Sequence, residues 1–303
     1  MNHRPFPPGV RAADAEEFVY SHGRLLERRR ISLLLHGGGL DGVLAALGAY
    51  RNPDGGFGHG LEPDVRSPHS EPLSTLAALD LLASWDLADH PWVRSALEWA
   101  AAASAVDGSV PFVTEASLEW PHAPWVQPTG GGSHLTYGFA AAARLTDFAG
   151  GWAEAAAGWC RTRLSPAGAA GSAPPPRELP AYEAKYAVRF LAAEGIGDPS
   201  AHPVLAELGT RLRAEGALRV VGGAEDESIH AVDLLHNPWA LPFPTGLPGR
   251  LAPGEVMARD RDWLASGQRP DGGWTVDWPA WSPAQGLEWR GLRTVEALEI
   301  LAR

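Results

Sequence analysis

The sequence predicts an all-α chain of stacked helical hairpins, and three observations support that class. First, two turn–helix units resemble one another across most of the chain. Arg51-Asn52-Pro53-Asp54-Gly55-Gly56-Phe57 matches Gln268-Arg269-Pro270-Asp271-Gly272-Gly273-Trp274, and each leads to a similar apolar run, residues 73–83 and 292–302. Asp54 stands to Asp271 as Thr75 stands to Thr294, with a two-residue gap, and such self-similarity marks a repeat architecture. Second, a weaker copy, Asp107-Gly108-Ser109-Val110-Pro111-Phe112, precedes the helical run 136–145. Third, no alternation of apolar and polar residues runs long enough to make a substantial strand.

The turn has a mechanism. Proline presets φ at the first corner and the glycines accept positive φ, so the chain reverses sharply. The aromatic that follows can then lie against a helix end. In chain order, residues 5–8 form a non-helical lead-in. Residues 13–35 carry helical spacing (Phe18, Leu25, Leu26 and Leu33 among the apolar positions) up to Gly37-Gly38-Gly39. Residues 40–50 form the outer helix of the first clear hairpin and 68–83 its inner helix, with Ser70 placed to cap it. Residues 92–103 start at Pro91 and stop at Asp107-Gly108.

The loop 112–133 is long and carries Trp120, His122 and Trp125. Loops of that length are uncommon unless functional or disordered, and its aromatics argue against disorder. Helices are expected over 135–148, 152–164, 182–193 and 202–213. The stretch 165–180 is an Ala/Gly/Pro-rich surface connector within one domain, because the repeat continues beyond it. A further helix over 225–235 has an acidic first turn, which suits the macrodipole. Residues 237–254, rich in Pro and Gly around Trp239 and Phe243, read as a loop folded over something. Helices over 253–266 and 287–302 complete the series.

Composition bounds the function. A hydrophobic content of 45% suffices for a core. With 36 acidic and 25 basic residues, the net charge of -11 argues against a nucleic-acid partner. The single cysteine excludes an internal disulfide and a multi-cysteine zinc site, and Cys160 reads as a buried thiol. His230 and His236 lack the spacing that sets two ligands on one helix face, so neither metal nor cofactor is expected. The first thirty residues lack the apolar segment of a secretory signal, and residues 31–35 are too short to span a bilayer. A cytoplasmic protein without a membrane span is expected.

Gln268 to Trp274 resembles the Gln-Trp motif of squalene–hopene cyclases and related terpenoid cyclases. The Gly-Gly-Phe version at 55–57 is similar to the turn in protein prenyltransferase β subunits. The turn–helix units that carry this resemblance cover roughly a third of the chain. It implies an (α/α)6 toroid with a central substrate cavity, formed by one domain over residues 1–303 at about fifty residues per helix pair. It also implies a cyclase-like enzyme acting on an apolar, isoprenoid small molecule. The ending 274–291 is similar to endings in a group of bacterial proteins, which implies no activity. In the named families the motif itself is structural, and their chemistry does not transfer. The Asp-x-Asp-Asp acid is absent; Asp260-Arg261-Asp262 comes nearest and lies on an expected outer helix. The zinc ligands of the prenyltransferases and an aspartate-rich diphosphate–magnesium motif have no matching positions.

In a toroid, the loops and inner-helix N-termini converge on one mouth, so candidates lie between each corner and its inner helix. Glu62 and Asp64 flank the stiff Pro63, and burial can divide paired carboxylates into acid and base. Asp277 and Glu288 are the acids of the last unit. For Glu62, Asp64 and Glu288, a helix cap or a local ion pair, such as Glu62 or Asp64 with Arg66, is the plain structural reading. His59, Trp125, His134, Tyr137, His230, Trp278 and Trp281 are the candidate substrate-binding residues. Glu71, His69, Tyr182, Glu183 and Arg290 stand at related positions. Histidines at helix starts are commonly structural, and Trp274 is expected to pack within its repeat. Tryptophans in a loop could instead shield a cation or stack on a sugar. A carbohydrate-active hydrolase or lyase and a non-catalytic binding scaffold are therefore the alternatives to a cyclase.

Overall fold

The computed structural model describes residues 5–165, 179–225, 227–236 and 250–302. The stretches 166–178 and 237–249, read above as connector and folded loop, lie outside the described residues. Helices dominate: α1 (Ala12–His22), α2 (Leu25–His36), α3 (Leu40–Gly48), α4 (Pro72–Ser84), α5 (Pro91–Ala103), α6 (Glu115–Leu118), α7 (Leu135–Leu145), α8 (Gly151–Leu164), α9 (Ala181–Ala193), α10 (Pro203–Glu215), α11 (Ala231–Leu235), α12 (Gly254–Ser266) and α13 (Pro283–Leu301). Among the described residues the strands are β1 (Ala217–Arg219) and β2 (Ser228–His230), paired antiparallel. Contacts gather the chain into two compact units. One comprises Met1–Tyr50, Gly222–Glu227 and Glu255–Arg303; the other comprises Arg51–Val221 and Ser228–Gly254.

In the larger unit, α4, α7 and α9 lie side by side, with α7 in contact with both neighbours. Every residue of α7 from Leu135 to Ala143 is buried, so this helix is covered all round, as its alanine-rich sequence allows. At Gly138 a Cβ would stand 2.7 Å from Leu76 of α4 and 3.1 Å from Tyr186 of α9. A glycine there lets the three helices approach closely. In the smaller unit, α13 packs on α1 and α2. Arg261 of α12 donates to the carbonyls of Ile300 and Leu301, closing the last turn of α13.

The three corners repeat one set of bonds. Asn52, Ala105 and Arg269 donate their N–H groups to the carbonyls of Gly56, Ser109 and Gly273 at 2.8–2.9 Å. Asp54, Asp107 and Asp271 accept the N–H of Gly56, Ser109 and Gly273 at 3.0, 3.0 and 3.2 Å. Gly55, Gly108 and Gly272 hold φ of 95°, 85° and 90°, in the region where a side chain would be strained. Each of these glycines abuts another helix, at Ser95 of α5, Ala155 of α8 and Asp14 of α1, leaving no room for a Cβ. Then Phe57, Val110 and Trp274 donate their N–H to the hydroxyls of Thr75, Thr136 and Thr294 at 3.0, 2.9 and 2.9 Å. All three threonines are fully buried. The third copy thus aligns on Val110, not on the expected aromatic Phe112.

The last corner also explains Gln268. Its side-chain amide accepts the Arg11 N–H at 2.8 Å and donates to the Arg11 carbonyl at 2.9 Å, tying this corner to the start of α1. Trp274 donates its indole N–H to the Leu264 carbonyl at 2.6 Å.

Several expected boundaries are corrected. The run 13–35 is two helices, broken at Gly23, whose Cα lies 3.0 Å from where a Cβ on Gly291 of α13 would sit. Glycine at both positions lets the two segments cross that closely. The inner helix starts at Pro72, not at 68. Its cap is Glu71, whose carboxylate accepts the N–H of Leu73 and Ser74 at 2.8 and 2.6 Å. Ser70 instead donates its hydroxyl to Asp54. The run 225–235 is not one helix. Ile229 pairs with Leu218 in the β-hairpin, both buried, and only α11 follows. The last helix begins at Pro283, four residues earlier than read, because Ser282 caps it and proline suits its first turn.

Candidate functional site

The first corner hands the chain to a loop, residues 57–71, gripped by the first turn of α4. Phe57 exchanges bonds with Thr75, and its carbonyl accepts the Glu71 N–H at 2.9 Å. Ser74 accepts the Glu62 N–H on its hydroxyl at 3.1 Å. Glu62 is half-buried, whereas Asp64 is buried with 7% exposure. Asp64 Oδ2 accepts the indole N–H of Trp125 at 2.8 Å, and its carbonyl accepts the Ala123 N–H, also at 2.8 Å. Val65 bridges to His122, and Arg66 donates to the Pro121 carbonyl. The loops leading into α4 and α7 are therefore joined at the N-terminal ends of those packed helices. His59 is exposed at φ 55°, its Nε2 held 2.9 Å from Asn52 Oδ1.

Glu71 is fully buried beneath this loop. Burial pushes its carboxyl up to about 7, against the opposing pull of Ser74 and Leu73.

Next to it in the row, the start of α7 gathers rings. His134 stacks on Tyr182 with centroids 6.2 Å apart and meets Tyr186 and Phe112 at 5.5 Å each. Burial, helped by the Lys185 charge, lowers His134 to about 4, so its imidazole is neutral at physiological pH. Tyr137 is fully buried and donates its hydroxyl to Glu183 at 3.0 Å, while Arg163 pairs with the same carboxylate. Behind Tyr186, Arg189 of α9 lies over the ring and pairs with Asp80 of α4 at 2.7 Å. His230 ends β2 opposite Ala217 and is half-buried, not at the start of a long inner helix.

The remaining candidates belong to the smaller unit. Asp277 is exposed. Trp278 meets Trp289 edge to face at 5.1 Å. Trp281 is half-buried, and the indole nitrogens of Trp278 and Trp281 are enclosed without an acceptor in range among the described residues. Glu288 is half-buried; burial works against the charge of Arg24, and Glu27, Tyr50 and Glu288 more than offset it. Arg290 donates to Asp271 and to the Trp274 carbonyl and lies over Phe18. An open cavity of about 440 Å³ beside it is lined by Arg269, Pro270, Asp271, Thr275 and Arg290. Among the described residues, no three His, Cys, Asp or Glu side chains gather as metal ligands would, and no helix is long and apolar enough to cross a membrane.

No family model matches the chain, and no curated protein matches it. Solved structures do. A protein from Actinoplanes is 18% identical over 96% of this chain and 98% of that one, with a TM-score of 0.53. A variant of the type II terpene cyclase MstE from Scytonema, in complex with its substrate geranylgeranyl dihydroxybenzoate, is 15% identical over 96% of both chains, with a TM-score of 0.52. A second variant in the same complex is 16% identical with a TM-score of 0.50. At such identities the likeness shows the fold alone, a terpene-cyclase-like helical fold.

Sequence reasoning passed over Ser74, Tyr186 and the Asp80–Arg189 pair. A signal for the pair was present: Asp80 and Arg189 are single charges inside apolar helical runs, and buried charges need partners. Ser74 offered no signal, because a serine in a first helical turn is ordinary.

Proposed function

We propose that the chain is a single (α/α)6 toroid and a terpenoid-cyclase-like enzyme, in which Asp64 protonates an apolar, isoprenoid-type small molecule. The observation that supports this most is the buried Asp64 carboxyl, held by the Trp125 indole in the loop that leads to the ring cluster of Phe112, His134, Tyr182 and Tyr186. The likeness to a cyclase fold supports the class. Asp277 is exposed and Glu288 faces Arg24, so both suit the role less well; Glu62 stands beside Asp64 as its neighbour across Pro63.

The chemistry follows from the contacts. The proton leaves Asp64 for one carbon of an alkene, whose π pair forms the new C–H bond and leaves a cation at the other carbon. The Trp125 N–H stabilises the carboxylate left behind. Aromatic faces attract the cation, and the neutral His134 adds no opposing charge. The π pair of a second alkene in the same molecule attacks the cation to close the ring. The proton then lost from the cyclised cation is replaced on the Asp64 carboxylate, which returns the acid. In the test, purified protein receives polyprenyl diphosphates, polyprenols and prenylated aromatics, and products of unchanged mass are sought by gas chromatography–mass spectrometry. A cyclised isomer that disappears in Asp64→Asn supports the reading. Turnover of none of them removes it.

A further inference from the structure

The first turn of α4 does more than end a helix. Glu71, Ser74 and Thr75 are all fully buried. Thr75 and the Glu71 N–H hold Phe57 at one end of the loop, while Ser74 holds Glu62 twelve residues away. A serine hydroxyl has one proton to give and two lone pairs to receive. The Glu71 carboxylate takes two backbone N–H groups, those of Leu73 and Ser74, and so fixes the backbone of the turn that carries the Ser74 hydroxyl. One lone pair of that hydroxyl receives the Glu62 N–H at 3.1 Å. Beyond Glu62 the backbone runs through Pro63, whose ring locks φ, directly into Asp64. The carboxyl group at the centre of the proposed site is thus aimed by a chain of contacts that begins at a buried acid.

We propose that Ser74, on the helical turn capped by Glu71, is a positioning residue that fixes the Glu62-Pro63-Asp64 segment through the Glu62 N–H. The contribution to chemistry rests on the cyclase reading; the positioning does not. Small displacements of a reacting group cost large factors in rate, so the grip matters even though neither residue touches substrate.

Two measurements on the full chain test this. In substrate-free protein, amide hydrogen exchange at Glu62 becomes at least tenfold faster in Ser74→Ala and in Glu71→Leu, with little change across residues 135–145. Glu71→Gln, which keeps a side-chain oxygen to cap the turn, stays within threefold of the parent. Unchanged exchange at Glu62 in Ser74→Ala overturns the proposal, and so does equal acceleration over the whole chain. With a turned-over prenyl substrate, Ser74→Ala lowers kcat at least tenfold while KM stays within threefold; an unaltered kcat removes the catalytic part. Should the parent turn over nothing while Glu62 exchange responds as stated, the cyclase reading fails and the positioning stands.

Discussion

The indole N–H of Trp125 donates to the carboxylate of Asp64 at 2.8 Å, across sixty-one residues of sequence. Neither side chain sits on a helix. Their meeting depends on the pairing of two loops, which places a buried acid at the N-terminal ends of α4 and α7. A removal of the acid that preserves shape should therefore silence chemistry and spare the fold. Asp64→Asn is expected to lower turnover of a cyclised substrate at least 100-fold, in line with the roughly 10²–10⁴ carried by a positioned proton donor. Its melting temperature should stay within a few degrees. Trp125→Phe, which keeps the ring and deletes the donor, should fall between the two. Steady-state rates and thermal melts check all three.

The corner threonines should carry stability in equal measure. Thr136→Val keeps the shape of the side chain but leaves the buried Val110 N–H without its acceptor, a loss of about 1–3 kcal/mol. Thr75→Val and Thr294→Val should cost similar amounts, because they occupy the same place in the other two corners. Urea unfolding at equilibrium measures each. A negligible cost at Thr136 would mean that the third corner is not equivalent to the others.

Asp80 and Arg189 should depend on one another. Arg189 is almost fully buried and pairs with Asp80 between α4 and α9. Asp80→Ala removes the carboxylate from a buried guanidinium and should destabilise by roughly 3–5 kcal/mol. Replacing both partners, as in Asp80→Leu with Arg189→Met, should recover most of that loss, since no buried charge is then left behind. Chemical denaturation of the two single variants and the double variant closes the cycle.

Glu71 and His134 should tilt stability with pH in opposite senses. Burial raises Glu71 from 4.5 to about 7, so the native state holds that proton more tightly than the unfolded chain. Its contribution is complete below about 4.5 and is lost as pH rises through 7. His134 is lowered from 6.5 to about 4, so between those values the unfolded chain binds more protons. Its contribution is present above 6.5 and is lost as pH falls toward 4. The two slopes oppose one another between about 4.5 and 6.5, so the parent should look flat there. Glu71→Gln should expose a loss of stability toward acid, and His134→Gln a loss toward neutral pH. Unfolding free energies at a series of pH values decide it.

Much of the helical organisation was legible because its causes are local. Proline before an apolar run announced the start of α5, and the two Pro-Asp-Gly-Gly corners declared their own geometry through positive φ at Gly55 and Gly272. The break at Gly23 was not legible, and neither was the approach of α13 there at Gly291, far away in sequence. The hairpin of Leu218 with Ile229 hid in a stretch of helical composition, because three-residue strands are too short to show a period. Ser70 looked like a cap and proved to be a tie to Asp54, since the corner claimed its hydroxyl first.

Sequence alone determined the helical class, the repeated corners and the identity of the threonine behind two of them, because those features depend on backbone preferences within a few residues. Tertiary structure decided which side chains became neighbours: Asp64 with Trp125, His134 with Tyr182 and Tyr186, Asp80 with Arg189. Those meetings rest on the pairing of loops and the packing of whole helices, and no short-range preference in the chain records either.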